Sequence, residues 1–180
     1  DGGISITAHQ KGGMIDGNNA GGGEGPFSPT RMGSMAVTDL LRYFEAGDLD
    51  KLKSLCSQTG GLSSYFGTSN SDAVHKLVEE GDPKAIRVWN AMIYQINKWI
   101  GAMSTVLKGN VDGILLTGGL VRFPDIVKQI RECCEWIAPV TVYPGEFEQE
   151  AMAQGALRIL RGEEKAMRYP GKPVWNGFDE

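Results

Sequence analysis

Two glycine pairs could do chemistry with backbone alone: Gly2-Gly3, at the head of an alternating segment, and Gly118-Gly119, at the end of an apolar one. Glycine has no Cβ, so main-chain N–H groups there approach a phosphate or a flat base with no side chain between. Each pair, taken alone, is also a plain turn. Neither is a Walker loop, since no Gly-Lys-Ser/Thr follows, and neither is a GxGxxG fingerprint. The glycine-rich run from Gly21 to Gly25 fails both tests and reads as a flexible loop. Arg31 carries a fork that holds phosphoryl oxygens bidentately and stays charged, and the same side chain suits a surface salt bridge. Asp72 opens a helical stretch and reads as its N-cap. His9 alternates outward on a strand and His75 lies among helix charges, so both read as structural or solvent-facing. Cys56, Cys133 and Cys134 show no CxxC spacing and read as free, buried or half-buried thiols of a cytoplasmic protein.

The elements that must position these residues follow from periodicity. Ile4–His9 alternates as a strand, Lys11-Gly12-Gly13 supplies a hairpin turn, and Met14-Ile15-Asp16 restarts a strand that Asn18-Asn19 ends. Thr38–Ala46 reads as a short helix with Val37, Leu40, Leu41 and Phe44 on one face, and Asp48–Cys56 as another. Leu62–Asn70 reads as a loop, and Asp72 starts a helix bearing Val74, Leu77 and Val78. Asp82-Pro83 pairs an N-cap with proline at the first helical position. From there Ile86, Trp89, Ile93, Ile96, Ile100, Met103 and Leu107 form one apolar stripe that Gly109 ends, a central helix over 83–108. The last third alternates: strand 111–117, a turn at Gly118-Gly119, a helix from Pro124 through Ile137, strand 139–143, and a helix from Glu148 to Arg161. Its inner face holds Ala151, Met152, Gly155, Ala156, Ile159 and Leu160. An antiparallel hairpin at the front and βαβα at the back define an α/β domain with a mixed sheet, in which the βαβ crossovers run right-handed. Ligands of such sheets gather at strand ends, where Gly118-Gly119 lies. The domain spans 1–162; 163–180 is a tail with Trp175 and Phe178 as anchors.

Bulk properties agree. The chain has 180 residues, 41% hydrophobic and 22% charged, with net charge −4, enough length for a real core and no basic footprint for nucleic acid. No apolar stretch is long enough to span a membrane.

Taken in order, Gly-Gly-Ile-Ser (2–5), Asp-Gly-Asn-Asn-Ala (16–20), Glu-Gly-Pro-Phe-Ser-Pro-Thr-Arg (24–31), Gly-Asp-Pro-Lys-Ala (81–85), Leu-Thr-Gly-Gly (116–119) and Val-Tyr-Pro-Gly-Glu (142–146) resemble the acetate and butyrate kinase family, butyrate kinases most closely. The resemblance covers Asp1 to about Arg161 and implies the actin-like ATPase fold, related to ribonuclease H, of the sugar kinase, Hsp70 and actin superfamily. It implies that this chain is the C-terminal, nucleotide-binding half of an acyl kinase, that the chain begins inside a phosphate-binding motif, and that the isolated half is not a competent kinase. The implied reaction passes a phosphoryl group from ATP to a short carboxylate, giving ADP and an acyl phosphate, with Mg2+ as cofactor. The acid is butyrate or similar, with a homo-oligomer formed through the 83–108 helix.

The same resemblance assigns residues. Arg31 takes the catalytic position. Gly2 and Gly3 line the phosphates, and Gly118, Gly119 and Leu120 the adenosine. Asp72 matches the aspartate of an Asp-x-Arg nucleotide contact whose arginine is replaced by Val74. Glu148 and Glu150 are the candidates for magnesium. Asp1 stands where many members carry another glycine. The rival reading is a non-catalytic nucleotide-binding regulatory module of the same superfamily, which would have no use for an acyl-transfer arginine.

Overall fold

The computed structural model describes residues 2–145, 147–168 and 171. Asp1, Trp175 and Phe178 lie outside the described residues. The chain forms two compact units, Asp1–Gly145 and Glu146–Glu180.

The first unit opens with strands β1 (Thr7–Gln10) and β2 (Gly13–Gly17), paired antiparallel with a register shift between Ala8 and His9. The hairpin reverses at Lys11-Gly12, where both residues have positive φ (52° and 80°), the backbone that matches strand twist in a two-residue turn. The glycine-rich run that follows is not the flexible loop its composition suggests. Ala20–Gly22 forms a 3-10 turn capped by the Asn19 side chain, and Asn19 N–H donates to the Glu24 carboxylate at 2.6 Å. Asn18, read from sequence as a strand terminator, is buried and organises the segment. Its Oδ1 accepts from Ile6 N–H at 2.6 Å, while its Nδ2 donates to the carbonyls of Ile4 and Glu24 at 3.1 and 3.0 Å.

Helices α1 (Val37–Glu45), α2 (Leu49–Ser57), α3 (Gly61–Phe66), α4 (Ser71–Glu79) and α5 (Pro83–Val106) follow. Helix α3 corrects the expected loop over 62–70; six residues are too few for periodicity to show. Helix α4 is capped by Asn70, whose Oδ1 accepts from the N–H groups of Asp72 and Ala73. Asp72 is therefore inside the first turn rather than the N-cap. Helix α1 buries none of its residues, and Val37, Leu41 and Phe44 are exposed.

Helix α5 is the beam. Asp82 accepts from Ala85 N–H at 2.7 Å with Pro83 at the first position, and 24 residues extend about 36 Å at 1.5 Å each. Trp89, Met92 and Ile93 are fully buried, and Ile96 and Ile100 nearly so; Ile86, at the head of the expected stripe, is 37% exposed. Burying side chains of this size stabilises by roughly 1.5–3 kcal/mol each. The helix packs against α4, the β1–β2 hairpin and the later helix Pro124–Cys134.

Strand β3 (Ile114–Gly118), helix α6 (Pro124–Cys134) and strand β4 (Val140–Pro144) complete the unit, with β3 and β4 parallel and in register from Ile114↔Val140 to Gly118↔Pro144. Among the described residues the strands form two separate pairs, one antiparallel and one parallel. Cys134 is buried, Cys133 exposed and Cys56 in between. Burial, and then the neighbouring Cys133, push the Cys134 thiol up to about 12. The second unit holds helix α7 (Glu148–Leu160), whose expected inner-face residues Met152 and Leu160 are exposed. Among the described residues no helix is long and apolar enough to cross a membrane.

Candidate functional site

Gly2-Gly3 and Arg31 come together. The Gly2 carbonyl accepts from the Ser28 hydroxyl, from the Thr30 hydroxyl at 2.9 Å and from Thr30 N–H at 3.2 Å. A Cβ built on Gly2 would overlap the Thr30 hydroxyl, and one on Gly3 would overlap the Arg31 guanidinium. The space a side chain would fill is taken by the arginine itself. Arg31 is half-buried, and its Nε is buried with no hydrogen-bond partner among the described residues. An orphaned buried donor costs on the order of 1–3 kcal/mol unless something accepts from it, so this atom marks a place for an acceptor.

The segment carrying Arg31 is held from below by α3. The carbonyls of Ser28, Pro29 and Thr30 accept from the N–H groups of Leu62, Ser63 and Gly60 at 3.0–3.1 Å, and Met32 N–H donates to the Leu55 carbonyl at 2.9 Å. Ser28 is fully buried; its hydroxyl accepts from Arg31 N–H at 3.2 Å. Phe27 N–H donates to Gln95 of α5 at 2.9 Å. Glycine is obligatory where the two elements touch. Gly61 has φ +57°, and a Cβ there would collide with the Ser28 carbonyl oxygen. Sequence reasoning missed this scaffold; the four-residue spacing of Leu62 and Phe66 after Gly60-Gly61 was its only trace.

The second glycine pair behaves differently. Gly118 has φ 92° and ψ −177° and donates its N–H to the Gly145 carbonyl at 3.1 Å. Gly119 begins a 3-10 turn that runs to Arg122. The backbone that demands glycine is thus at Gly118 rather than Gly119. Nothing lies within 4 Å of a Cβ built on Gly118, so the ground beside it is open. Leu120 packs on the core.

The turn is anchored through Phe123, whose ring meets Trp89 edge-on at 5.2 Å and His75 at 4.6 Å. Asp125, in the first turn of α6, accepts from Trp89 Nε1 at 2.8 Å and lies 3.2 Å from His75 Nε2. His75 is therefore structural, as expected, though largely enclosed; His9 is exposed and lies 2.9 Å from the Thr7 hydroxyl.

Asp72 is exposed and pairs with Arg122, Nη2 to Oδ2 2.6 Å. Val74 is fully buried in the core, so nothing at that position reaches a ligand. A cavity of about 320 Å³ has Gly2, Pro29 and Thr30 on one side and Ser69, Asn70, Ser71 and Arg122 on the other, within the usual size range of small-molecule sites of ~300–1,000 Å³. It joins Gly2 to the neighbourhood of Asp72. Gly3, Arg31 and Gly118–Leu120 are not among its lining residues. Glu150 is exposed on α7, and the side chain of Glu148 lies outside the described residues. Among the described residues no cluster of three His, Cys, Asp or Glu side chains could hold a metal ion.

The hairpin, the parallel βαβ unit and a polar cavity lined at one edge by a glycine turn belong to a mixed α/β domain whose fold, that of the actin-like ATPases, is shared by solved acetate kinases. The acetate kinase of Porphyromonas gingivalis matches at TM-score 0.75 and 21% identity, over 87% of this chain and 46% of that one. The acetate kinase of Entamoeba histolytica matches at 0.72 and 17%, over 87% and 49%. A propionate kinase of Francisella tularensis matches at 0.69 and 17%, over 80% and 44%. This chain therefore spans about half the length of the solved structures it matches. The acetokinase family model matches residues 2–136, and the chain belongs to that family.

Proposed function

We propose that this chain supplies the nucleotide-binding half of an enzyme that transfers a phosphoryl group from ATP to a short-chain carboxylate, butyrate or a similar acid. The family supports the carboxylate kinase reading, and the solved structures that share the fold are acetate and propionate kinases. The observation that carries the reading is the seating of Arg31 against Gly3, with its buried Nε lacking a partner among the described residues.

In the reaction a carboxylate oxygen attacks the terminal phosphorus, the bond to the bridging oxygen breaks, and ADP leaves. Donor and acceptor are both anionic, so the site must neutralise and align rather than remove a proton. Arg31 does this with its positive charge and planar fork. Gly3 keeps the guanidinium close to the main chain. The α3 scaffold, by holding Ser28–Thr30, fixes the arginine without reorganisation, the condition under which such donors act on transition-state charge. Gly2 and Gly3 border the phosphates; Gly118, Gly119 and Leu120 border the adenosine, with Asp72 nearby. Mg2+, when bound, would offset phosphate charge; Glu148 and Glu150 are the carboxylates that would hold it.

Hydroxylamine trapping of acyl phosphate over a series of acids, in the enzyme that this half completes, tests the reading. Butyrate-sized acids should give the highest kcat/KM. Arg31→Ala should lower kcat by roughly 10²–10³-fold, with the KM for ATP changed much less. Nucleotide binding without any hydroxamate would instead favour the regulatory module.

A further inference from the structure

We infer that Arg122 is the phosphate-binding arm of the cavity and that Asp72 is its resident counter-ion, displaced when a nucleoside diphosphate or triphosphate enters. The inference rests on the nucleotide-binding reading above and adds to it a residue and a device. Arg122 is the charged side chain among the residues lining the cavity, and Gly2 faces the same space. Its guanidinium lies over the Phe123 ring, 5.0 Å from the centroid, and that ring is locked by Trp89 and His75. The guanidinium therefore rests on a rigid ring, while about half of the side chain is in solvent.

The tip is held by Asp72 alone among the described residues, 2.6 Å away, with both side chains more than half exposed. An exposed pair of this kind gains little net stability, because both charges stay hydrated and the held side chains lose entropy. A diphosphate offers the same fork geometry with more negative charge. Exchange of carboxylate for phosphate is then nearly free on the protein side. The N-terminus of α4 does not compete as the donor set, because Asn70 Oδ1 already takes the N–H groups of Asp72 and Ala73. The pair also links residues 50 positions apart in sequence, tying the turn after β3 to α4 across the cavity edge until ligand arrives.

Calorimetric titration of the chain with ADP and with adenosine, at one fixed ionic strength, separates the possibilities. Arg122→Gln should weaken ADP about tenfold, the worth of one charge-assisted contact, and leave adenosine within about twofold. Asp72→Asn should tighten ADP, since it removes the competing carboxylate. An Arg122→Gln chain that binds ADP as the wild type does, or loses adenosine equally, overturns the inference and leaves the nucleotide reading standing. Weaker ADP binding by Asp72→Asn overturns it too, by making Asp72 a ligand contact. A wild-type chain that binds no ADP overturns both.

Discussion

The two glycine pairs sit at the heads of very different neighbourhoods. At Gly2-Gly3, Thr30 and Arg31 occupy the positions that side chains would have, Gly60 and α3 donate to the carbonyls of 28–30, and Gly2 also borders the cavity. At Gly118 no described atom lies within 4 Å of where a Cβ would stand, yet the backbone is in a region that only glycine enters readily. One site needs glycine for packing, the other for conformation. The crowded site is built to hold a charge still, and the open one leaves room for something to lie along the chain.

Substitution should expose the contrast. The largest effect belongs to Gly61→Ala, which meets both problems at once: φ +57° and the Ser28 carbonyl. Neither is a flexible side chain that moves aside. We expect a loss of roughly 3–4 kcal/mol in urea unfolding; a loss below about 1 kcal/mol would show that the loop rests on α3 only loosely. Gly118→Ala should cost about 1–3 kcal/mol, all of it conformational. If it proves neutral, the turn relaxes and the contrast between the pairs fails.

A pH effect comes next. Cys134 titrates near 9 when unfolded and is raised to about 12 by burial and by Cys133. Below 9 the thiol is protonated in both states and contributes no slope. Between 9 and 12 the unfolded chain releases a proton that the folded chain keeps, so stability falls across that window. Wild type should lose more stability than Cys134→Ala from pH 9 to 10.5 in denaturant titrations; parallel curves would mean that the thiol ionises in place. The smallest stability effect is expected at Gly3→Ala, within about 1 kcal/mol, because the colliding atoms are the far end of the Arg31 side chain.

The legible parts of the molecule were those with a local signal. Asp82-Pro83 and the stripe from Trp89 to Ile100 announced α5, and Lys11-Gly12 announced the hairpin. Helix α3 was not legible, since six residues give Leu62, Tyr65 and Phe66 only one turn in which to show a period. Asn18 and Asn70 were hidden for another reason: a buried amide or a cap is defined by the partners it meets, and those of Asn18 lie as far as 14 residues away. The Arg122–Asp72 and Trp89–Asp125 contacts span 50 and 36 residues, beyond any window. For α1 the reverse holds. Its amphipathic face was plain in the sequence, but Val37, Leu41 and Phe44 remain exposed, because periodicity names a face and not the surface that covers it.

Nucleotide should bind beside the crowded glycine pair. Titration of Mg-ATP into the wild-type chain and into Gly3→Ala, with urea unfolding of both, puts this to the test. Wild type should bind, and the variant should lose affinity by about tenfold or more while unfolding at nearly the same urea concentration. Absence of binding by wild type, or wild-type affinity in the variant, would contradict it.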